Sequence, residues 1–549
     1  MQRSTLALLA LLLLAIAVRM PGINRPLLGN FSTKNVVYAM IARNWAEGRA
    51  SIWYPTLDVV RGGERSLHMV EFPASAYLTA GVWRTLGGSL DVWGRLTSVL
   101  LSAASVGLGY ALVARRHGRT AALGTAAALA LSPVAIIYGQ SFMLEPSVVF
   151  LTLLAFLLFD LWHETGQQPR VGGARTGFLW LALGTTALAL LWLTKVYMVV
   201  LLLPLLWRSG RLVTRRHGAS RKVTDQPEAS SAARAPDESK PVFAFTAAAL
   251  LVAALPACVW YFHAYGVAEP GSPTAEHVFF SVRRSAADHL PPSPLLFDAD
   301  FYRQVLDDVS GVVLTPVGFA LLMAAVFHRA WRGYLPWMFA MLALVILLPR
   351  KFHEMNYYWM AVLPLLAVLV GLGCEVVARG FQPKRWTIAG ALVLALVFAM
   401  RYAAKPAFVT PAADRHVTEA ANAIRKLTSP DEPIITRHGT TPDLLYHADR
   451  PGWVTDDSSS TVTASVGEET ENGDRSVAAG SRFGVSQSLD GMRFQGRPPR
   501  FLVAVDGPID GLGESIAGGH NYWIYRLPLD SSDWRRWKNN VGQSDAVAR

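Results

Sequence analysis

The chain is poor in cysteine and in charge. Only 2 of its 549 residues are cysteines, and both, Cys258 and Cys374, fall inside apolar runs. That argues against a disulfide framework and against a thiolate metal site, and leaves any chemistry to oxygen and nitrogen groups. Charged residues make up 17% of the chain against 52% hydrophobic, and the hydrophobic ones are gathered in blocks. This is the composition of a polytopic membrane protein. Internal repeats, which mark many transporters, are not evident. The loops of the apolar part hold neither a His-x-x-x-His nor a paired-carboxylate metal pattern, so no metal site is assigned and dependence on a divalent metal stays open. The net charge of +11 is ascribed to lipid headgroups and cytoplasmic loops, not to a nucleic-acid partner.

What is present is a series of apolar runs near the length of roughly twenty residues that crosses about 30 Å of hydrocarbon. They lie near 4–18, 92–114, 120–138, 144–162, 176–193, 195–208, 242–263, 310–328, 334–349, 355–377 and 386–402, about eleven spans. The first has the length of a signal-peptide core, but with so many spans behind it an uncleaved helix is expected. Arg115, Arg116 and Arg119 share one loop, Arg170 and Arg175 another, and Trp207 to Lys222 is heavily basic; Arg329 with Arg332, and Arg379 with Lys384 and Arg385, continue the alternation. Placing these inside puts the amino terminus in the cytoplasm of a plasma (inner) membrane and the carboxyl terminus outside. The expected organisation is a membrane domain over 1–404, with external loops at 19–90 and 266–309 and a disordered cytoplasmic linker at 209–241. A soluble external α/β domain follows over 405–549, with a helix at 417–427, strands at 433–436, 501–505 and 522–527, and a polar loop from Asp456 to Ser488.

Basic residues on the external face are not explained by the topology rule and are candidates for function. Lys195 interrupts LLWLTKVYMVV at the turn of a helical hairpin, Arg350 and Lys351 open PRKFHEMNYYW, Arg283 and Arg284 lie in the long loop, and Lys34 and Arg43 in the first. A phosphate at the membrane surface is their natural partner. The bland alternative for any one of them is headgroup anchoring, to which Lys195, flanked by apolar residues, is the best exception. The first loop also contains an expected interfacial helix, with Val37, Met40, Ile41 and Trp45 facing the bilayer and Arg43 spaced to pair with Glu47. Glu71 precedes another helix as HMVEFP, and Glu145 begins an apolar run as SFMLEPSVVF; either could be a solvated helix-start residue.

The strings RMPGINRPLLG, VVYAMIARNWAEG, EFPASAYL, the turn LTK and the late HEMNYYWMAVLPLLA are together similar to bacterial GT-C glycosyltransferases of the protein-mannosyltransferase and aminoarabinose-transferase group. The resemblance covers roughly residues 1–400. It implies a mainly α, polytopic GT-C fold with an external loop carrying interfacial helices. It also implies an inverting transferase that takes a sugar from a polyprenyl-phosphate donor to a hydroxyl of a lipid, glycan or protein, among membrane lipids and with no certain cofactor. A carboxylate of the first loop would be the general base, and external Lys, Arg, His and Tyr would hold the leaving phosphate. On this likeness the base is Glu71, with Asp58 and Glu64 as weaker candidates, and Glu145 is a second acidic site residue. Lys34, Asn35, Tyr38, Arg43, His68, Lys195, Arg350, Lys351, His353, Tyr357 and Tyr358 are the substrate-binding set. One departure is plain: where many relatives carry Asp-Glu before Tyr-Ala-x-Ile-Ala-Arg, this chain has Lys34-Asn35. Two other readings accompany the transferase, a flippase for a lipid-linked sugar and a catalytically inactive glycan-binding relative.

Overall fold

A long apolar segment that pairs its own backbone groups becomes a helix, because nothing in lipid can pair them otherwise. The computed structural model of the chain describes residues 2–29, 31–165, 173–210, 239–289, 293–381, 385–439, 441–455, 494–495, 497–505 and 514–527. Most of the expected linker at 209–241 and the loop from Asp456 to Ser488 lie outside these. In chain order, α1 (Gln2–Ala17) is followed by α2 (Ser32–Ala46), the strands β1 (Thr56–Arg61) and β2 (Glu64–Met69), and α3 (Ala74–Leu86). Then come α4 (Leu90–Leu131), α5 (Pro133–Tyr138), α6 (Glu145–Thr165), α7 (Gly173–Thr194), α8 (Val196–Gly210) and α9 (Ser239–Val267). β3 (Val278–Ser281), α10 (Val282–His289) and α11 (Ala299–Asp307) occupy the next long loop. α12 (Pro316–Ala324), α13 (Leu335–Leu347), α14 (Pro349–Glu354), α15 (Trp359–Phe381) and α16 (Arg385–Phe408) complete the helical bundle.

Among the described residues six helices have the length and apolarity of a membrane span. A seventh is counted if the bent pair Ala299–Val313 and Pro316–Phe327, 109° apart, is taken as one. The count of eleven is not established by these measures, because α4 merges two of the expected runs across a kink at Gly118 and the runs near α1, α8 and α16 give shorter helices. Close backbone approach sets the crossing of α4 and α15: a Cβ on Gly371 would sit 2.3 Å from Ala121 O, and one on Gly124 would sit 2.6 Å from Cys374 Sγ. Small residues at such crossings let two helices pack where lipid offers no hydrophobic drive.

The carboxyl-terminal region contributes α17 (Ala412–Leu427), β4 (Ile434–Arg437), α18 (Asp443–Ala448), β5 (Gly452–Thr455), β6 (Phe501–Val505), β7 (Ala517–Gly519) and β8 (Tyr522–Arg526). Its strands do not stop at the expected domain boundary. One sheet runs in the order β3-β2-β1-β5-β4-β6-β8-β7, so the first loop and the carboxyl-terminal region share it. The joint is the parallel pairing of β1 with β5, Val59 opposite Gly452, and β3 adds in parallel to β2 on the far side. The hairpin between β1 and β2 turns on Gly62 and Gly63, both with positive φ, as a two-residue type I′ turn demands.

α2 differs from the expected interfacial helix. Val36 to Ala42 are all buried, in a cluster that also takes in Leu57, Val417, Leu444 and Val503. Its apolar stripe is covered by protein and not by bilayer. Arg43 likewise does not pair with Glu47, which bonds Arg49 instead.

Candidate active site at the junction of loop and bundle

Glu71 is held by its neighbours on either side. Trp260 Nε1, on α9, donates to Val70 O at 3.0 Å, and Phe72 N donates to Leu193 O, near the end of α7, at 3.1 Å. The carboxylate between them points into the protein, 4% exposed, and so does not cap the start of α3. Lys195 meets it because α7 ends at Thr194 and the chain turns extended for one residue, φ −147° and ψ 98°, before α8 begins as a 3-10 turn. Its Nζ lies 3.1 Å from Glu71 Oε1 and 3.2 Å from Glu145 Oε1. An ammonium this enclosed is not snorkelling to a headgroup. Lys34 Nζ is 3.4 Å from Glu71 Oε1, the Tyr38 hydroxyl donates to the same oxygen, and His68 Nε2 stands 4.0 Å from Oε2.

Glu145 opens α6 and is 2% exposed, and among the described residues neither of its oxygens has a hydrogen-bond partner besides the ion pair. The turn before it is fixed by Asn35, whose Oδ1 accepts from Phe142 N at 2.7 Å while its Nδ2 donates to Phe31 O at 3.0 Å. Asn35 thus positions the acidic residue and does not face the Glu71 carboxylate. Burial alone would raise the Glu71 carboxyl, but the charges of Lys195 and then Lys34 outweigh it and hold the group well below the usual carboxylate range. Burial and the Glu71 charge keep the Tyr38 phenol protonated. His68, buried, is pushed down to about 4 and is neutral near pH 7.

A second rank of groups comes from α14 and the start of α15. Lys351 is mostly buried, with its Nζ 5.8 Å from the Tyr358 ring centroid, and burial together with the charge of Lys34 brings it down to about 7. Tyr357 packs edge-on to Phe31 at 5.0 Å and lies under Lys34 at 5.9 Å. Lys34, Tyr38, His68, Glu71, Glu145, Lys195, Lys351, Tyr357 and Tyr358 therefore form one neighbourhood.

The remaining candidates lie elsewhere. Arg43 bonds Asp58 Oδ2 at 2.7 Å and Asp449 Oδ1 at 3.0 Å, so it and Asp58 tie the first loop to α18 instead of facing Glu71. Glu64 is exposed in the hairpin. Arg350 is exposed and pairs with Glu354 at 3.7 Å, and His353 is exposed with its carbonyl accepting from Gln304. Arg283 stacks on Tyr265 and pairs with Glu269. Among the described residues no three His, Cys, Asp or Glu side chains gather as a metal site would require. Sequence reasoning missed Tyr197, whose ring is 5.4 Å from Tyr358, and Trp260 with Tyr261, whose hydroxyl accepts from Val196 N. The signal for the latter pair was their place at the end of an apolar run, where aromatics gather.

The family model for dolichyl-phosphate-mannose-protein mannosyltransferase matches residues 71–264, and no curated protein sequence matches the chain. The fold is similar to the crystal structure of ArnT from Cupriavidus metallidurans bound to undecaprenyl phosphate. The TM-score is 0.58 at 14% identity, over 96% of this chain and 98% of that one. The apo state of the same protein gives 0.56 at 15%, over 95% and 97%. The oligosaccharyltransferase of Archaeoglobus fulgidus in complex with Zn and sulfate gives 0.51 at 11%, over 91% and 68%. The fold is that of the GT-C membrane glycosyltransferases, mostly helical with a small sheet.

Proposed function

We propose that this chain, a multi-pass protein with the GT-C glycosyltransferase fold, moves a sugar from a polyprenyl-phosphate donor to a hydroxyl acceptor. Transfer takes place on the external side of a plasma (inner) membrane, with the amino terminus in the cytoplasm. The observation that carries this reading is the enclosed Glu71-Lys195-Glu145 array, with Lys34 and Lys351 beside it, where the first loop meets α7 and α6. Glu71 is the general base. The acceptor oxygen attacks the anomeric carbon as the bond from that carbon to the phosphate oxygen breaks, the hydroxyl proton passes to the Glu71 carboxylate, and the polyprenyl phosphate leaves with inversion at the sugar. In the resting array Glu71 is a weak base because two ammonium groups face it. A donor phosphate that draws Lys195 and Lys34 to itself lifts that restraint, so donor binding switches the base on. The same cations then offset the negative charge that develops on the leaving phosphate.

The test is transfer from a labelled polyprenyl-phosphate sugar in membranes containing the protein. Glu71→Gln is expected to lower the rate by about 10²- to 10⁴-fold, the usual worth of a positioned base, with donor binding retained, whereas Lys195→Ala weakens both. Undiminished transfer by Glu71→Gln would reject the assignment, and donor binding without turnover by the unaltered protein would identify an inactive relative.

A further inference from the structure

A crevice of about 370 Å³, whose lining includes none of the residues of the Glu71 neighbourhood, lies between the start of the first loop, the end of α16 and one face of α17. Arg25 and Arg415 border it, with Thr410 and Thr418 also in its lining and Leu28 and Phe408 among its apolar walls; among the described residues no acidic side chain lines it. The first loop is tied down here. Arg25 Nη1 donates to Val409 O at 2.8 Å, and Gly22 sits beside Phe408, where a Cβ would meet its Cα at 3.5 Å, an ordinary van der Waals contact.

That single bond uses one of the five N–H groups of a guanidinium. Arg25 Nε is enclosed and has no hydrogen-bond partner among the described residues, and no carboxylate among them pairs with Arg25 or Arg415. Burial consequently pulls Arg25 below its ordinary range with nothing to oppose it. A membrane-surface arginine that merely snorkels extends its head to water, but Arg25 turns back onto the chain and leaves its fork beside the crevice. Two guanidiniums lining one crevice suit a phosphate, which accepts several charge-assisted bonds at once; of the hydroxyls there, that of Thr418 donates to Arg415 O at 2.8 Å. The apolar part of α16 ends at Ala403, little more than one helical turn before Phe408, so the crevice lies close to the end of an apolar helix.

We propose that this crevice is a second anion site, separate from the Glu71 array, that binds a phosphate ester and clamps the first loop to α17 through Arg25 and Arg415. The phosphate is carried either by a lipid headgroup or by a water-soluble ester.

The full-length protein, purified in neutral detergent and freed of phospholipid, is titrated with short-chain phosphatidylglycerol, with zwitterionic short-chain phosphatidylcholine, and with glycerol phosphate, following the thermal midpoint. Arg415→Gln, an exposed position whose loss leaves the fold intact, and the Arg25→Gln/Arg415→Gln double variant are compared with the unaltered chain. A midpoint rise with phosphatidylglycerol alone, with its half-point moved at least tenfold by Arg415→Gln, supports a lipid-borne phosphate. A rise with glycerol phosphate that Arg415→Gln weakens in the same way supports a soluble ester. The proposal is overturned if neither anion raises the midpoint, if phosphatidylcholine acts equally, or if both variants respond as the unaltered chain does.

Discussion

Two buried carboxylates converge on the ammonium of Lys195, with Lys34 adding a second cation, so the charges nearly cancel until a ligand enters. Lys351 is the group whose charge is least secure, since burial and Lys34 bring it down to about 7. A lysine so placed is protonated below that value and neutral above it, and a donor phosphodiester, which does not itself titrate in this range, prefers the ammonium. The donor KM is therefore expected to rise between about pH 6 and pH 8, with kcat much less affected. Lys351→Arg, charged throughout, should flatten the profile; a profile unchanged by that substitution would remove Lys351 from donor binding. Lys195 stood out in the sequence because an ammonium inside an apolar run has to be explained by a partner. Its partners, 124 and 50 residues away in Glu71 and Glu145, could not be read from local spacing.

At the scale of elements, the site depends on how α2 seats the turn ahead of α6. Asn35→Ala removes the acceptor for the buried Phe142 N–H, at a cost of about 1–3 kcal/mol. The thermal midpoint should fall, and transfer should slow as Glu145 loses its fixed position. Asn35→Asp retains that acceptor and should lose less activity in the same transfer assay; equal losses would show that the bond does not position Glu145. The helix itself was legible from its spacing. Its surroundings were not, because an apolar stripe looks the same whether bilayer or protein covers it. The β1–β2 hairpin went unread although Gly62-Gly63 between alternating segments announces a tight turn. The helix near 417–427 and the strands near 433–436, 501–505 and 522–527 reappear as α17, β4, β6 and β8, because each is short, locally patterned and bounded by polar or proline-containing segments.

For the whole molecule, the shared sheet and the Arg43 ion pairs make the carboxyl-terminal region part of the architecture around the first loop. Arg43→Ala leaves Asp58, buried, with Arg65 as its remaining ion-pair partner among the described residues, and losing one hydrogen bond to a charged group in this way costs about 1.5–3 kcal/mol. Hydrogen exchange should quicken in β1, β5 and α18 while α4 and α15 keep their protection; exchange that quickens uniformly, or not at all, would deny Arg43 this tie. Composition, run length and charge along the chain suffice for the membrane class, the order of the apolar helices and the candidate ions. Which of those ions meet depends on the folded arrangement. It brought Lys195 to Glu71 and Glu145, turned Arg43 and Asp58 toward α18, and joined residues 56–69 to a sheet completed near residue 526. Convergence of that kind depends on where helices break and how strands pair across hundreds of residues, and neither is written in any one segment.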